Sequence, residues 1–184
     1  MTRGTPTVFL DRDGVINRRR PDHVKSWQEF EFLPGALDAL VLLRRMGLRS
    51  VVITNQSAVG RGLVSEQGLL SIHQQMTDLI TKEGGNIERI YFCTHTPSAA
   101  CRCRKPATEL FLRASRELGI DLQESIMIGD SSSDVAAARS IGSLPILVVD
   151  GTGVRENGVV VARDLAEAVS RIPELQHAIE ASRC

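Results

Sequence analysis

Short apolar segments alternate with amphipathic segments of helical length along most of the chain. The apolar segments are rich in Val, Ile and aromatic residues, as strands buried on both faces are, and they occupy residues 7–11, 49–55, 87–93, 125–130 and 144–150. Helical patterns occupy residues 34–46, 65–83, 107–118 and 131–141, and one more surface helix is predicted over 164–172. This order predicts an α/β fold, a single doubly wound Rossmann-like domain with a mainly parallel sheet and right-handed crossovers.

Residues at the borders of the helical patterns fit these limits. Pro34 suits a first helical position, and Ser65 suits an N-cap. Three glycines suit the position just past a helix end: Gly47, Gly119 and Gly142.

Length and composition favour one domain with a small-molecule partner. The 184 residues are 42% hydrophobic and 24% charged, which suits one sizeable core, and we expect a core over about 7–150 and a helical tail over about 164–184. Lys plus Arg balances Asp plus Glu at 22 each, and aromatic residues are scarce, which argues against nucleic acid as a partner. Since no apolar run reaches roughly 18 residues, we expect a cytosolic protein without a membrane span. We also expect a monomer whose site is covered by loops rather than by a large cap domain.

Polar side chains follow several of the predicted strands. Asp11 and Asp13 close the first strand, whereas Lys105 opens the segment before the third helix. The other polar residues at strand ends are Thr54, Asn55 and Asp130. Because the carboxyl ends of parallel strands meet at one edge of a doubly wound sheet, we expect these side chains to lie together.

The chemistry of this group favours a metal and a phosphate. Asp11 and Asp13 are two residues apart and would repel each other unless a cation neutralised them, and Asp130 adds a third acid. Mg²⁺ prefers such oxygen ligands, takes one or two carboxylates and completes its coordination with water and substrate phosphate. Lys105 and the Thr54 hydroxyl would then hold the remaining phosphate oxygens.

Four motifs in this order resemble those of the haloacid dehalogenase superfamily of phosphotransferases. They are "DRDGV" at 11–15, "ITN" at 53–55, Lys105 and "GDSSSD" at 129–134. The resemblance implies that Asp11 is a nucleophile that forms a phosphoaspartate, while Asp13 protonates the leaving alkoxide and then activates water. It further implies that Mg²⁺ is held by Asp11, the main-chain carbonyl of Asp13 and Asp130, with Asp134 supporting these ligands.

The stretch "CTHTPSAACRCRKP" at 93–106 predicts a second metal site. It offers three thiolates and an imidazole, enough to close a tetrahedral Zn²⁺ site: Cys93, His95, Cys101 and Cys103. Four protein ligands leave no open position for water, so we expect a structural zinc whose loop delivers Arg104 and Lys105 to the substrate. The alternative, reduced cysteines without a metal, stays open.

The second loop expected to set specificity is "NQSAVGRGLVSEQ" at 55–67, with Arg61 near its tip. Together the two loops resemble the histidinol-phosphatase-like branch of the superfamily, although Ala58 replaces a usual Gly and Ser131 a common basic residue. The resemblance implies a sugar bisphosphate as substrate. The residues expected to contact substrate or its phosphates are Thr54, Asn55, Arg61, Arg104, Lys105 and Asn17.

Two alternatives to a sugar phosphatase stay open: a histidinol-phosphate phosphatase, and a non-catalytic zinc-bearing interaction module. The basic run Arg18, Arg19 and Arg20 is expected to be solvated, with contact between one of them and a distal phosphate left open. His23 and His73 lack the spacing of metal ligands and are given no role.

Overall fold

The computed structural model describes residues 6–149 and 159–175. Its strands are β1 (Thr7–Leu10), β2 (Arg49–Asn55), β3 (Arg89–Cys93), β4 (Ile126–Gly129), β5 (Leu144–Val148) and β6 (Val160–Ala162). Its α-helices are α1 (Ala36–Arg45), α2 (Ser57–Gly60), α3 (Glu66–Lys82), α4 (Glu109–Leu118), α5 (Ser132–Ser140) and α6 (Leu165–Ser170). Among these described residues, no helix has the length and apolar character needed to cross a bilayer.

The six strands form one parallel sheet in the order β3-β2-β1-β4-β5-β6. β1 lies at the centre, where Val8 is in register with Ser50 of β2 on one side and with Ile126 of β4 on the other. The chain changes direction across the sheet between β1 and β4, and a crevice opens at the carboxyl ends of strands at such a point. The predicted α/β fold with a parallel sheet is confirmed.

Apolar side chains cover both faces of the sheet, as the alternation within β1 illustrates. Val8 and Leu10 belong to one buried cluster, which includes residues of α1, α3 and α6. Phe9 points to the opposite face and packs edge-on against Phe111 of α4, with 5.1 Å between ring centroids. Burial on both faces explains why the strand segments read as continuous apolar runs.

The helix borders follow the sequence signals with one exception. Ser65 caps α3 by accepting a hydrogen bond from the Gly68 amide, as predicted. Gly47, Gly119 and Gly142 all have positive φ after a helix end, also as predicted. The prediction for Pro34 is wrong, because Gly35 adopts φ 73° and α1 begins only at Ala36.

The C-terminal part differs more from the prediction. The expected surface helix is α6, but its buried residues Leu165, Ala168 and Val169 join the core cluster that also holds α1 residues. β6 was not predicted, since three residues are too few to show a pattern. The predicted strand residue Asp150 and the predicted tail over 176–184 lie outside the described residues.

Candidate active site

The polar strand ends converge on a cavity of about 300 Å³. Asp11 follows β1 directly and Asp130 follows β4 directly, while Asn55 is the last residue of β2. The lining includes Asp11, Asp13, Asn55, Arg104, Lys105 and Asp134. Four of the six groups expected to lie together line this cavity, whereas Thr54 and Asp130 are absent from its lining and Asp130 lines another cavity.

Three acids form the floor of this region. Asp11, Asp130 and Asp134 each offer a carboxylate oxygen within 4.8 Å of the others. Gly14 allows this approach: it has φ +90°, and a Cβ at this position would overlap the Asp130 carboxylate. The spread suits a single Mg²⁺, whose opposite ligands lie roughly 4.2 Å apart at a ligand distance of about 2.1 Å.

Lys105 is the buried cation of the acid cluster. Its Nζ lies 2.9 Å from Asp11 Oδ1 and 2.7 Å from Asp134 Oδ1, and it donates to the Ile53 carbonyl at 2.6 Å. Burial acts to lower the pKa of Lys105, but the charges of Asp11 and Asp134 outweigh burial and raise this pKa overall. Lys105 is therefore charged and fixed beside Asp11.

Asp134 joins Lys105 to the start of α5. Its Oδ2 accepts hydrogen bonds from the main-chain amide of Ser131, at 3.1 Å, and from the Ser131 hydroxyl, at 2.6 Å. Gly129 leaves room for this side chain, since a Cβ there would overlap it. Because one oxygen of Asp134 contacts Lys105 and the other accepts from Ser131, this side chain is placed to hold Lys105 within the acid cluster.

Asp11 and Asp130 differ in their counter-charges. Burial raises the pKa of Asp11, even though Lys105 acts to lower it. Burial and then the charge of Asp11 raise the pKa of Asp130 to about 7, although Arg19 donates to Asp130 Oδ1 at 2.7 Å. The cluster thus holds more negative charge than its two cations balance, which favours binding of a divalent cation.

Three side-chain donors hold the carboxylate of Asp13. Arg12 Nη2 and Asn17 Nδ2 both donate to Oδ1 at 2.9 Å, and Gln56 Nε2 donates to Oδ2 at 2.6 Å. Burial acts to raise the pKa of Asp13, but the charge of Arg12 and these hydrogen bonds lower it overall. Asn17 was expected at the substrate, yet its amide here contacts Asp13 and the Arg18 carbonyl.

The other residues expected to bind substrate lie in different settings. Thr54 is buried, and its Oγ1 accepts from Gln56 Nε2 at 2.9 Å. Asn55 holds the main chain of Lys105 through both its amide oxygen and its amide nitrogen. Arg104 lines the cavity, whereas Arg61 is exposed and is absent from the lining.

The loop after β1 supplies two arginines whose contact with a distal phosphate was left open and a histidine that was given no role. Arg19, Arg20 and His23 line the cavity. Arg18 instead turns to Glu31, 3.0 Å away. The only sequence signal for the two arginines was the basic run. Asn17, at the start of this run, forms isolated β-bridges with Asp13 and with Phe32.

The four predicted zinc ligands also come together. Their ligand atoms lie within 4.8 Å of one another, and all three thiols are free. Cys103 Sγ lies 3.1 Å from Cys93 Sγ and 3.5 Å from Cys101 Sγ, and 3.2 Å from His95 Nδ1. Sulfurs bound to one tetrahedral Zn²⁺ at about 2.3 Å would be roughly 3.7 Å apart, so these residues could hold a metal ion after small shifts.

Burial of His73 beside the site makes the stability of the fold depend on pH. Burial and then the charge of Arg12 lower the pKa of His73 to about 3. The unfolded chain binds a proton at this residue near pH 6.5 while the folded protein does not, so stability is full above pH 6.5 and falls as the pH drops towards 3. The negative charge of Asp13 acts in the opposite direction and partly raises the pKa of His73.

We therefore expect His73→Leu to lose part of the acid sensitivity of the wild type. Between pH 7 and pH 5, the free energy of unfolding of the wild type should fall by about 2 kcal/mol more than that of the variant. Urea unfolding of both proteins at the two pH values measures this difference. Equal pH dependence of the two proteins would contradict a neutral, buried His73.

Comparisons with known proteins show which family this chain belongs to. The HAD-hydrolase-like family model matches residues 102–168. D-glycero-β-D-manno-heptose-1,7-bisphosphate 7-phosphatase of Photorhabdus laumondii is 37% identical over 95% of this chain and 96% of its own length. The same-named protein of Vibrio cholerae is 37% identical over 91% of this chain and 94% of its own length.

A solved structure gives the same picture. D,D-heptose 1,7-bisphosphate phosphatase from B. bronchiseptica, complexed with magnesium and phosphate, superposes with a TM-score of 0.86 at 33% identity, covering 93% of this chain and 99% of its own. The fold is that of a HAD-like phosphatase. Within that class, the chain belongs to the family of heptose-1,7-bisphosphate 7-phosphatases. The resemblance drawn from the sequence motifs is confirmed.

Proposed function

We propose that this protein is a Mg²⁺-dependent phosphatase that removes the 7-phosphate of D-glycero-β-D-manno-heptose 1,7-bisphosphate through a phosphoaspartate at Asp11. The observation that carries the proposal is the cluster of Asp11, Asp130 and Asp134 around the buried Lys105 at the end of the central strand. The printed names of the relatives, and the magnesium and phosphate in the B. bronchiseptica structure, support the same substrate and cofactor.

In the first half-reaction, a carboxylate oxygen of Asp11 attacks the phosphorus of the 7-phosphate. The bond between phosphorus and the sugar oxygen breaks as the new bond to Asp11 forms, and Asp13 gives its proton to the departing alkoxide. Lys105 holds one Asp11 oxygen and offsets charge on the phosphoryl group. Asp11, the main-chain carbonyl of Asp13 and Asp130 would hold Mg²⁺, which would neutralise more of that charge.

In the second half-reaction, water attacks the phosphorus of the phosphoaspartate. Asp13, now a carboxylate, takes the proton from this water, and the bond between phosphorus and Asp11 breaks to free inorganic phosphate. The three donors around Asp13 favour the carboxylate that this step requires. Thr54, from its buried position, is proposed to contact a phosphate oxygen.

We further propose that Cys93, His95, Cys101 and Cys103 bind a structural Zn²⁺. The support is their three thiols and one imidazole, a ligand set that suits Zn²⁺, and the short distances among their sulfur atoms. Arg104 lies at the end of this loop and donates to the His95 carbonyl at 3.4 Å, so a fixed loop would fix Arg104 beside the cavity.

The cations around the cavity favour a substrate with a second phosphate over histidinol phosphate. Arg19, Arg20 and Arg104 line the same opening. The amine and imidazole of histidinol would meet these positive charges, whereas a distal phosphate would be attracted to them. Arg61 is left as a weaker candidate for substrate contact because it lies outside this lining. All groups of the site come from one chain, which we propose is a single domain active as a monomer.

A substrate panel tests the proposal against both alternatives. With Mg²⁺, kcat/KM for the heptose bisphosphate should exceed that for histidinol phosphate by two or more orders of magnitude, and release of phosphate should stop without Mg²⁺. A preference for histidinol phosphate would assign the protein to that activity. No phosphate release from any ester would favour the non-catalytic interaction module.

Arg104→Ala should weaken action on the bisphosphate selectively. Losing one charge-assisted contact should lower kcat/KM for the heptose bisphosphate by roughly 10- to 100-fold, because such bonds are worth about 1.5–3 kcal/mol. p-Nitrophenyl phosphate has no distal phosphate and should lose less than about threefold. Arg102→Ala is the matched control, since Arg102 lies on the same loop, is exposed and does not line the cavity. Equal losses on both substrates would show that Arg104 serves the reacting phosphate or the loop.

A further inference from the structure

Arg12, between the two acids of the first motif, is one of the most deeply buried side chains of the described protein. It is 1% exposed, and its guanidinium lies 6.0 Å from the centroid of the Phe30 ring. A buried cation is costly unless it is paired and hydrogen-bonded. An apolar residue would fill this space at lower cost, so the contacts of the guanidinium need an explanation.

The guanidinium bridges the Asp13 carboxylate and α3. Nη2 donates to Asp13 Oδ1 at 2.9 Å, and Nη1 lies 3.1 Å from Nε2 of His73. His73 is itself buried and packs edge-on against Phe92, 5.4 Å between ring centroids. Since arginine can only donate, Nε2 of a neutral His73 is the acceptor. The imidazole therefore holds Nη1 of the guanidinium while Nη2 contacts Asp13.

This bridge distinguishes the two oxygens of Asp13. Oδ1 accepts hydrogen bonds from the permanent donor Arg12 and from Asn17, so two donors already occupy this oxygen. Within the described part of the chain, the only side-chain donor to Oδ2 is Gln56, whose amide can turn and offer its oxygen as an acceptor. Oδ2 is accordingly the oxygen that can exchange a proton with the substrate oxygen or with water.

We propose that Arg12, fixed by His73, is a positioning residue that orients the Asp13 carboxylate so that Oδ2 faces the reacting groups. The inference rests on the proposed role of Asp13 as acid and base. It assigns to α3 a part in the reaction, through a histidine 61 positions away from Arg12. Neither residue touches the substrate in this account.

p-Nitrophenyl phosphate separates positioning of Asp13 from damage to the fold. Its leaving group departs as a stable anion and needs no proton, so formation of the phosphoenzyme does not depend on Asp13 as an acid, whereas hydrolysis of the phosphoenzyme still needs Asp13 as a base. Stopped-flow release of nitrophenolate in the first turnover and the steady-state kcat then report the two steps separately.

For Arg12→Met with Mg²⁺ present, we expect a first-turnover rate within about threefold of the wild type. The steady-state kcat should fall by roughly 10- to 100-fold, the value of a lost charge-assisted hydrogen bond. His73→Leu keeps the Arg12 side chain but removes the acceptor that fixes it, so it should show the same pattern to a smaller extent. It also serves if Arg12→Met does not fold. His73→Gln offers Arg12 an acceptor again and should recover the wild-type rates to within about threefold.

Arg49→Met is the matched control. Arg49 forms an ion pair with Glu88 at 2.6 Å and lies at the amino end of β2, so its loss removes an arginine and carboxylate pair away from the cavity. This variant should keep the wild-type ratio of the two rates. First-turnover and steady-state rates that fall together in the Arg12 and His73 variants would overturn the inference. An Asp13→Asn variant that keeps the turnover of the wild type would instead overturn the role of Asp13 in the proposed function.

Discussion

Asp11→Asn is expected to lower kcat by at least about four orders of magnitude, the scale on which loss of an enzymatic nucleophile acts. Asparagine keeps nearly the same volume but cannot form the acyl phosphate through which the proposed reaction passes. Lys105 keeps its contacts with Asp134 and with the Ile53 carbonyl, so the buried cation is not left unpaired. Phosphate release from the heptose bisphosphate at saturating substrate and Mg²⁺ measures the loss.

The fold of this variant should be intact or slightly more stable. Burial, with the charges of Asp134 and Asp13, raises the pKa of Asp11 against the effect of Lys105, so the charged form is disfavoured here and a neutral side chain is tolerated. Thermal unfolding of the two proteins provides the control. A variant that folds and retains near wild-type kcat would show that Asp11 is not the nucleophile.

Replacing Cys101 and Cys103 together by Ser is expected to remove the zinc and loosen the loop that carries Arg104. The intervening residues of this loop are mostly exposed and small, so they contribute little apolar burial of their own. Apparent binding free energies of structural zinc sites are on the order of 10–16 kcal/mol, a large contribution for such a loop. Elemental analysis should give about one zinc per wild-type chain and much less in the variant, with a lower Tm and a reduced kcat.

Cys184→Ser is the matched control for this experiment, since it removes a cysteine outside the cluster and outside the described residues. It should keep the zinc content and the Tm of the wild type. Mild EDTA treatment followed by Mg²⁺ should restore activity while zinc stays bound. Full zinc content and stability in the double variant would mean that the ligands are assigned wrongly.

The sequence predicted the parts of the site that depend on strand order. Asp11, Asn55 and Asp130 come together because parallel strands share one carboxyl edge, and alternation of apolar and helical segments is enough to predict that edge. The Cys and His ligands were found because their spacing is short. Both signals are local or follow from topology.

The remainder of the site depends on contacts that no local pattern encodes. The Arg12 and His73 contact joins residues 61 positions apart and requires α3 to place His73 beside Arg12. Asn17 and Asn55 were expected to bind substrate because they lie near or at a strand end, and their contacts with Asp13 and Lys105 were not predicted. Arg61 was expected to contact substrate because it lies near the tip of its loop. The direction of an exposed side chain, however, cannot be predicted from its position in a loop.

Trapping of the phosphoenzyme tests the central claim most directly. Asp13→Asn lacks the base for the second half-reaction. It should accumulate phosphoenzyme when it is mixed with Mg²⁺ and p-nitrophenyl phosphate, whose leaving group needs no proton from Asp13. Borohydride reduces an acyl phosphate to the alcohol, so mass spectrometry of the quenched protein should find homoserine at position 11 alone. The proposed mechanism would be contradicted by a wild type that turns over this substrate while the trapped residue lies elsewhere in the chain.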